Sequence, residues 1–190
     1  GLPSDGGLHG LSGPGLKSKR RYYQRAWCPL ITLWYLLWQR LSPQHTLAAV
    51  VAELEANGTE CLVARVDVAD AAAVQAFAQA VRERFGRADL VFNNAGVSVV
   101  AGVEALPLAD AHWLMNINFW GVVHGTQAFL PHLVAAGEGH IVNISSVFGL
   151  VSIPMQSAYN ASKFGVRGFT DALRMELEIE PCGVSSTTIH

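Results

Sequence analysis

From Leu47 onward, short apolar runs alternate with longer stretches of helical periodicity, and few folds accommodate that order. "TLAAVVAELEANG" predicts a helix stopped at Gly58, and "ECLVARVDVAD" predicts a short strand ending in turn formers. "AAAVQAFAQAVRERFG" predicts a second helix, with Ala, Val and Phe on its inner face and Arg82 and Arg84 in the last turn, where cations suit the helix dipole. "ADLVFNNAG" reads as a strand entering a turn, "AHWLMNINFWGVVHGTQAFLPHLVAAG" as one long helix, and "GHIVNISS" as a strand. A helix around Tyr159 and a strand begun by "GVSSTTIH" come next. Near-continuous apolar strands separated by helices are the pattern of an α/β fold, a doubly wound parallel sheet.

Residues 1–45 stand outside this pattern. "GLPSDGGLHGLSGPG" is glycine-rich and aperiodic, "KSKRRYYQR" is basic, and "AWCPLITLWYLLW" is an apolar run of 13 residues. That run is short of the ~20 apolar residues that span a bilayer, and no small-x-small cleavage site comes after it, so a membrane role is not indicated. We expect 1–45 to be an unmatched segment, non-native to the domain or disordered. A shifted reading frame or a mis-spliced start would produce it.

The bulk composition narrows the function classes. The chain is 51% hydrophobic and 15% charged, which is far from disordered sequences, and its net charge of −2 gives no reason to expect a nucleic acid partner. Cys28, Cys61 and Cys182 are odd in number and widely spaced, so neither a disulfide framework nor a zinc site is indicated, and a reducing, cytoplasmic setting fits. The seven histidines have no metal-ligand spacing.

In a doubly wound sheet, ligands bind beyond the carboxyl ends of the strands. Asp67 closes the first expected strand, Asn93 and Asn94 the second, and Ser145 and Ser146 the third. Each alone is an ordinary turn or cap residue, but three in succession fall at one sheet edge. Downstream, "SAYNASKFG" sets Tyr159 four residues before Lys163, on one face of a helix.

"NNAG" at 93–96, "NINFWG" at 116–121, "IVNISS" at 141–146 and "YNASK" at 159–163 occur in an order and spacing that resembles the short-chain dehydrogenase/reductase family, from about Leu47 to His190. The resemblance implies a Rossmann-like domain over 46–190, incomplete at both ends. It also implies NAD or NADP as cofactor and a secondary alcohol or ketone as small-molecule substrate. Ser146, Tyr159 and Lys163 match the family's catalytic serine, tyrosine and lysine. Its asparagine lies three residues before a helix glycine, which Gly121 puts at Asn118 rather than at neighbouring Asn116. A phenol ordinarily ionises near pH 10, and a lysine ammonium held close favours the phenolate. By the resemblance, Tyr159 exchanges the proton of the alcohol, Ser146 hydrogen-bonds the substrate oxygen, Lys163 also holds the nicotinamide ribose, and Asn118 holds a water in the proton relay. Asp67 and Val68 would meet adenine, and the backbone of Asn94, Ala95 and Gly96 would pass under its ribose. Asn93 is expected to tie strands together. "VFGLVSIPMQS" would line the substrate pocket, and its apolar character points to a lipophilic substrate. Helices apolar on more than one side leave a face for another subunit, and the resemblance implies a homodimer or homotetramer.

The family's cofactor turn, TGxxxGxG after a strand, has no match before Leu47. Gly6 and Gly10 share the first spacing, but Ser12 stands at the next required position and no Thr precedes Gly6. The family also continues past the region of His190. An inactive fragment unable to bind dinucleotide is therefore the alternative expectation. With two strands unaccounted for, "CLVARV" lacks a neighbour unless "PLITLWYLLW" supplies one.

Overall fold

The structure, a computed structural model, describes residues 47–190. The expectations for residues 1–45 lie outside the described residues. The described residues divide between two units, one ending at Cys61 and the other running from Leu62 to His190. The described part of the first unit is the expected helix, α1 (Leu47–Ala56). It ends where glycine permits a left-handed turn: Gly58 has φ 77°, its N–H bonds Glu55 C=O, and Thr59 N–H bonds Leu54 C=O.

The second unit holds three parallel strands in the order β1 (Leu90–Asn93), β2 (Gly139–Ile144), β3 (Val184–Ile189). Val91 pairs with Ile141 and Asn93 with Asn143, while Gly139 pairs with Val184 and Ile144 with Ile189. Helix α2 (Ala71–Phe85) is started by Asp70, whose carboxylate accepts from the N–H groups of Ala72 and Ala73, and stopped at Gly86. The expected long helix begins earlier, at Leu108, directly after Pro107, and it is not uniform. It comprises α3 (Leu108–Met115), a π-helical turn over Asn116–Trp120, and α4 (Gly121–Ala136). A 3₁₀ turn (Val147–Gly149) separates β2 from α5 (Ser157–Ile179), the helix that carries Tyr159.

One core joins these pieces. Val74 and Ala78 of α2, Val91 of β1, Ala128, Phe129 and Leu133 of α4, Ile141 of β2, Leu173 of α5 and Val184 of β3 pack as one buried cluster. The pairing register puts Val91, Ile141 and Val184 on the same sheet face, so α2, α4 and α5 all cover that face.

The strand expected at "CLVARV" does not form. Residues 61–67 carry no regular structure, although Val66 packs on the core. A strand exists only as part of a ladder, and among the described residues nothing pairs with the outer edge of β1. Between that edge and the Val66 segment lies a cavity of about 460 Å³, lined by Val66 and Val68 on one side and Val91 and Phe92 on the other.

Candidate active site

The first turns of α5 lie against the end of β2. Lys163 is buried, and its Nζ donates to Ile144 C=O at 2.9 Å. Ser145 Oγ donates in turn to Lys163 C=O at 2.9 Å, so strand end and helix are tied in both directions. Burial pushes the Lys163 ammonium below its ordinary value of 10.5. Half-buried Tyr159, one turn earlier, has the same Nζ 5.7 Å from its ring centroid. Ser146 comes directly after β2, and its Oγ accepts from Phe148 N–H at 3.2 Å, capping the 3₁₀ turn. The Phe148 ring meets Tyr159 edge to face, with centroids 6.2 Å apart. Ser146 and Tyr159 are thus positioned by one shared neighbour.

Asn118 belongs to the π-helical turn and is fully buried, whereas Asn116 is exposed. A π turn adds a residue to the helical cycle and rotates the residues after it, a distortion often found at functional sites. Asn118 Oδ1 accepts from Val97 N–H at 2.8 Å, and Nδ2 donates to Val97 C=O at 2.9 Å and to Ser162 Oγ at 3.2 Å. Both amide hydrogens are committed, so a water could be met only through the remaining acceptor capacity of Oδ1 or through the backbone. The Asn94–Gly96 backbone, exposed beyond the end of β1, faces this group. A Cβ built on Gly96 would lie 3.6 Å from both Asn118 Oδ1 and Lys163 Nζ.

Ser146, Tyr159, Lys163, Asn118 and the Asn94–Gly96 segment therefore gather beyond the carboxyl ends of β1 and β2. Asp67 and Val68 are anchored to a different place. Exposed Asp67 accepts from Ala69 N–H at 2.9 Å in a local turn. Val68 packs where Gly121 of α4 has no side chain, and its C=O accepts from the His124 ring at Nδ1, 2.9 Å away. Asn93 does bridge strands. Its Nδ2 donates to Asn143 Oδ1 at 2.8 Å, and Asn143 Nδ2 donates to Thr170 Oγ1 at 2.9 Å, linking β1, β2 and α5.

The apolar loop after Ser146 is open. Val147, Leu150, Val151 and Met155 are each about half exposed, between 45% and 56%. Two residues escaped the reading of the sequence, Ser162 and His124. Ser162 lies inside the "YNASK" stretch, where only Tyr159 and Lys163 are assigned roles by the resemblance. His124 carried no motif, although its place one turn after Gly121 puts it on the same helix face. Among the described residues, no cluster of His, Cys, Asp and Glu could hold a metal ion, and no helix is long and apolar enough to cross a membrane.

The sequence matches the short chain dehydrogenase family model over residues 40–188. It is 49% identical over 144 residues to SadH of Mycobacterium tuberculosis, covering 76% of this chain and 52% of that protein. A short chain dehydrogenase/reductase of Burkholderia phymatum, crystallised with NAD, superposes with a TM-score of 0.73 at 37% identity over 77% of this chain and 52% of the other. A metagenomic short-chain oxidoreductase in complex with NADP superposes with a TM-score of 0.70 at 33% identity over 75% and 64%. The chain spans between about half and two thirds of the length of these relatives, and its fold is Rossmann-like.

Proposed function

Since the chain belongs to the short-chain dehydrogenase family, a family of oxidoreductases, we propose that it serves NAD(P)-dependent interconversion of a lipophilic ketone and its secondary alcohol. The observation that carries this reading is the convergence of buried Lys163 and Asn118 on the exposed Gly96 backbone, with the half-buried Tyr159 ring beside Lys163 Nζ.

The described residues fit part of a dinucleotide. The side-chain-free Gly96 leaves the approach to Lys163 Nζ and Asn118 Oδ1 clear, and Asp67 has a carboxylate oxygen beyond the one in its local turn. In this reading Asp67 and Val68 meet adenine, Asn94, Ala95 and Gly96 run beneath its ribose, and Lys163 holds the nicotinamide ribose. The family's pyrophosphate turn would precede Leu47, where the sequence has no match to it. When bound, the nicotinamide supplies or accepts the hydride.

The protein's own residues handle the proton. Tyr159 gives its hydroxyl proton to the ketone oxygen during reduction and takes one from the alcohol during oxidation. Ser146 Oγ donates to the same substrate oxygen and fixes its position. Lys163, held on Ile144 C=O, keeps a cation beside Tyr159, and Asn118 braces the Gly96–Val97 backbone against α5. The exposed Val147, Leu150, Val151 and Met155 support a lipophilic substrate, because a loop packed for stability alone would bury them. A homodimer or homotetramer through α3–α5, where Trp113, Trp120 and Phe164 are exposed, and a cytoplasmic setting belong to the same proposal.

The second reading, a chain that cannot hold the cofactor, is favoured by the cavity beside β1, where a paired strand would otherwise support the site. Titration of the purified chain with NADH and NADPH, followed by nicotinamide fluorescence, separates the two. Saturable binding supports the oxidoreductase, and turnover of apolar ketones should then fall by roughly 10²–10⁴-fold in Tyr159→Phe. A folded chain that binds neither dinucleotide would establish the second reading.

A further inference from the structure

Ser162 stands between Tyr159 and Lys163 with its side chain wholly buried. A serine inside a helix commonly turns its hydroxyl back onto a preceding carbonyl, and Ser162 Oγ does donate to Tyr159 C=O at 2.8 Å. What that habit does not explain is the second bond. The same oxygen accepts from Asn118 Nδ2 at 3.2 Å, across a sequence separation of 44 residues. Asn118 Nδ2 has one other partner, Val97 C=O, on the loop after β1. Ser162 is therefore the side chain that connects the Asn118 amide to the turn of α5 presenting Tyr159 and Lys163.

We infer that Ser162 is a positioning residue, which locks Asn118 to the first turn of α5 so that Asn118, Tyr159 and Lys163 keep a fixed relation. The inference rests on the oxidoreductase reading above for its catalytic consequence, but its structural core does not. Donation by Asn118 orients the Ser162 hydroxyl, and donation by the hydroxyl draws on Tyr159 C=O, so the two bonds reinforce one another. Removing Oγ leaves a fully buried N–H of Asn118 without a partner, which favours rotation of its amide or a shift of the π turn. The helices would stay packed meanwhile. Phe119, beside Asn118, lies against Gly165 and meets Phe169 edge to face at 6.4 Å, and neither contact involves Ser162.

The test compares the wild-type chain, Ser162→Ala and Ser162→Thr by two readouts. One is kcat, KM and the pH–rate profile with NADH or NADPH and an apolar ketone. The other is hydrogen exchange of the Asn118 side-chain amide, followed by NMR without substrate. Loss of Oγ should lower kcat about tenfold, less than the ~10²-fold that a 1 Å misplacement costs, and should displace the pH–rate profile with little change in KM for the dinucleotide. Ser162→Thr, which keeps the hydroxyl, should recover most of the rate, and Asn118 exchange should accelerate only in Ser162→Ala. Ser162→Ala with wild-type kcat, pH profile and Asn118 exchange, and only a lower melting temperature, would overturn the inference. If the wild-type chain turns nothing over, the oxidoreductase reading of this chain falls, and Asn118 exchange still decides the role of Ser162. If Ser162→Ala does not fold, wild-type exchange decides: protection like that of the neighbouring helix supports the lock, and exchange as fast as an exposed Asn amide refutes it.

Discussion

The two flanks of β1 obey different physics. On the β2 side every residue of the strand is paired, and the Asn93–Asn143–Thr170 chain carries the connection into α5. On the other side a segment with strand-like sequence, "CLVARV", lies across a cavity of about 460 Å³ and pairs with no strand among the described residues. The residues proposed for proton transfer belong to the first flank, and Asp67 and Val68 to the second. One half of the site is organised by bonds within the described fold, while the other hangs on a glycine gap and one histidine.

If the paired flank is already set for chemistry, the largest effect should come from the smallest chemical change there. Tyr159→Phe removes one oxygen and no buried apolar contact, since the Phe148 edge contact is with the ring. Turnover should fall by roughly 10²–10⁴-fold with the melting temperature unchanged, because positioned acid–base catalysis contributes that much. Steady-state rates and a thermal melt on the same samples check it, and wild-type turnover in the variant would remove Tyr159 from the mechanism.

The same flank should resist repacking. A Cβ at Gly125 would run into Asn93 Oδ1, so Gly125→Ala must displace the amide that links β1 to β2. Overpacking of a filled site typically costs ~1–3 kcal/mol, and denaturant unfolding should find a loss of that size. No loss would mean that the Asn93 bridge is slack and that the two flanks differ less than their bonds imply.

What could be read from the sequence divides along the same line. The helix stop at Gly58, the Asn–Asn strand end and the turn spacing of Tyr159 and Lys163 are local, so short-range rules reached them. The failed strand shows the limit. Apolar β-branched composition reports that a segment can be half buried, but a ladder needs a second backbone, which no local rule supplies. The π turn carries no local signal that those rules read, and Ser162 escaped because its partner is 44 positions away. Asn118 was reached only through a motif, and why it is buried became clear only from Val97 and Ser162.

Lys163 gives the paired flank a pH signature. Its folded-state pKa lies below the ordinary 10.5 because the ammonium is desolvated, so between the two values the unfolded chain binds more protons than the folded one. The penalty is fully present below that window and relieved as pH rises through it toward 10.5. Lys163→Met lacks the titration, so wild-type stability relative to the variant should be flat at neutral pH and rise with alkalinity. Denaturant midpoints of both proteins across that range measure it. A difference independent of pH would mean that the buried ammonium is better solvated than its surroundings imply.

The smallest effect belongs to the unpaired flank and tests whether it is separate at all. His124→Leu keeps an apolar side chain beside Trp120, with which the imidazole now stacks at 6.3 Å, but removes the donor to Val68 C=O. Val68 is only half buried, so water can replace that donor, and the loss should sit at the low end of the ~0.5–1.5 kcal/mol of an ordinary hydrogen bond. The consequence should be local. Hydrogen exchange should quicken around Asp67–Ala69 and stay unchanged at Asn118 and along β2. Exchange that quickened at Asn118 as well would show that the Val68 loop and the proton-transfer group are one cooperative unit joined through α4, and the contrast between the flanks would then describe bonding alone.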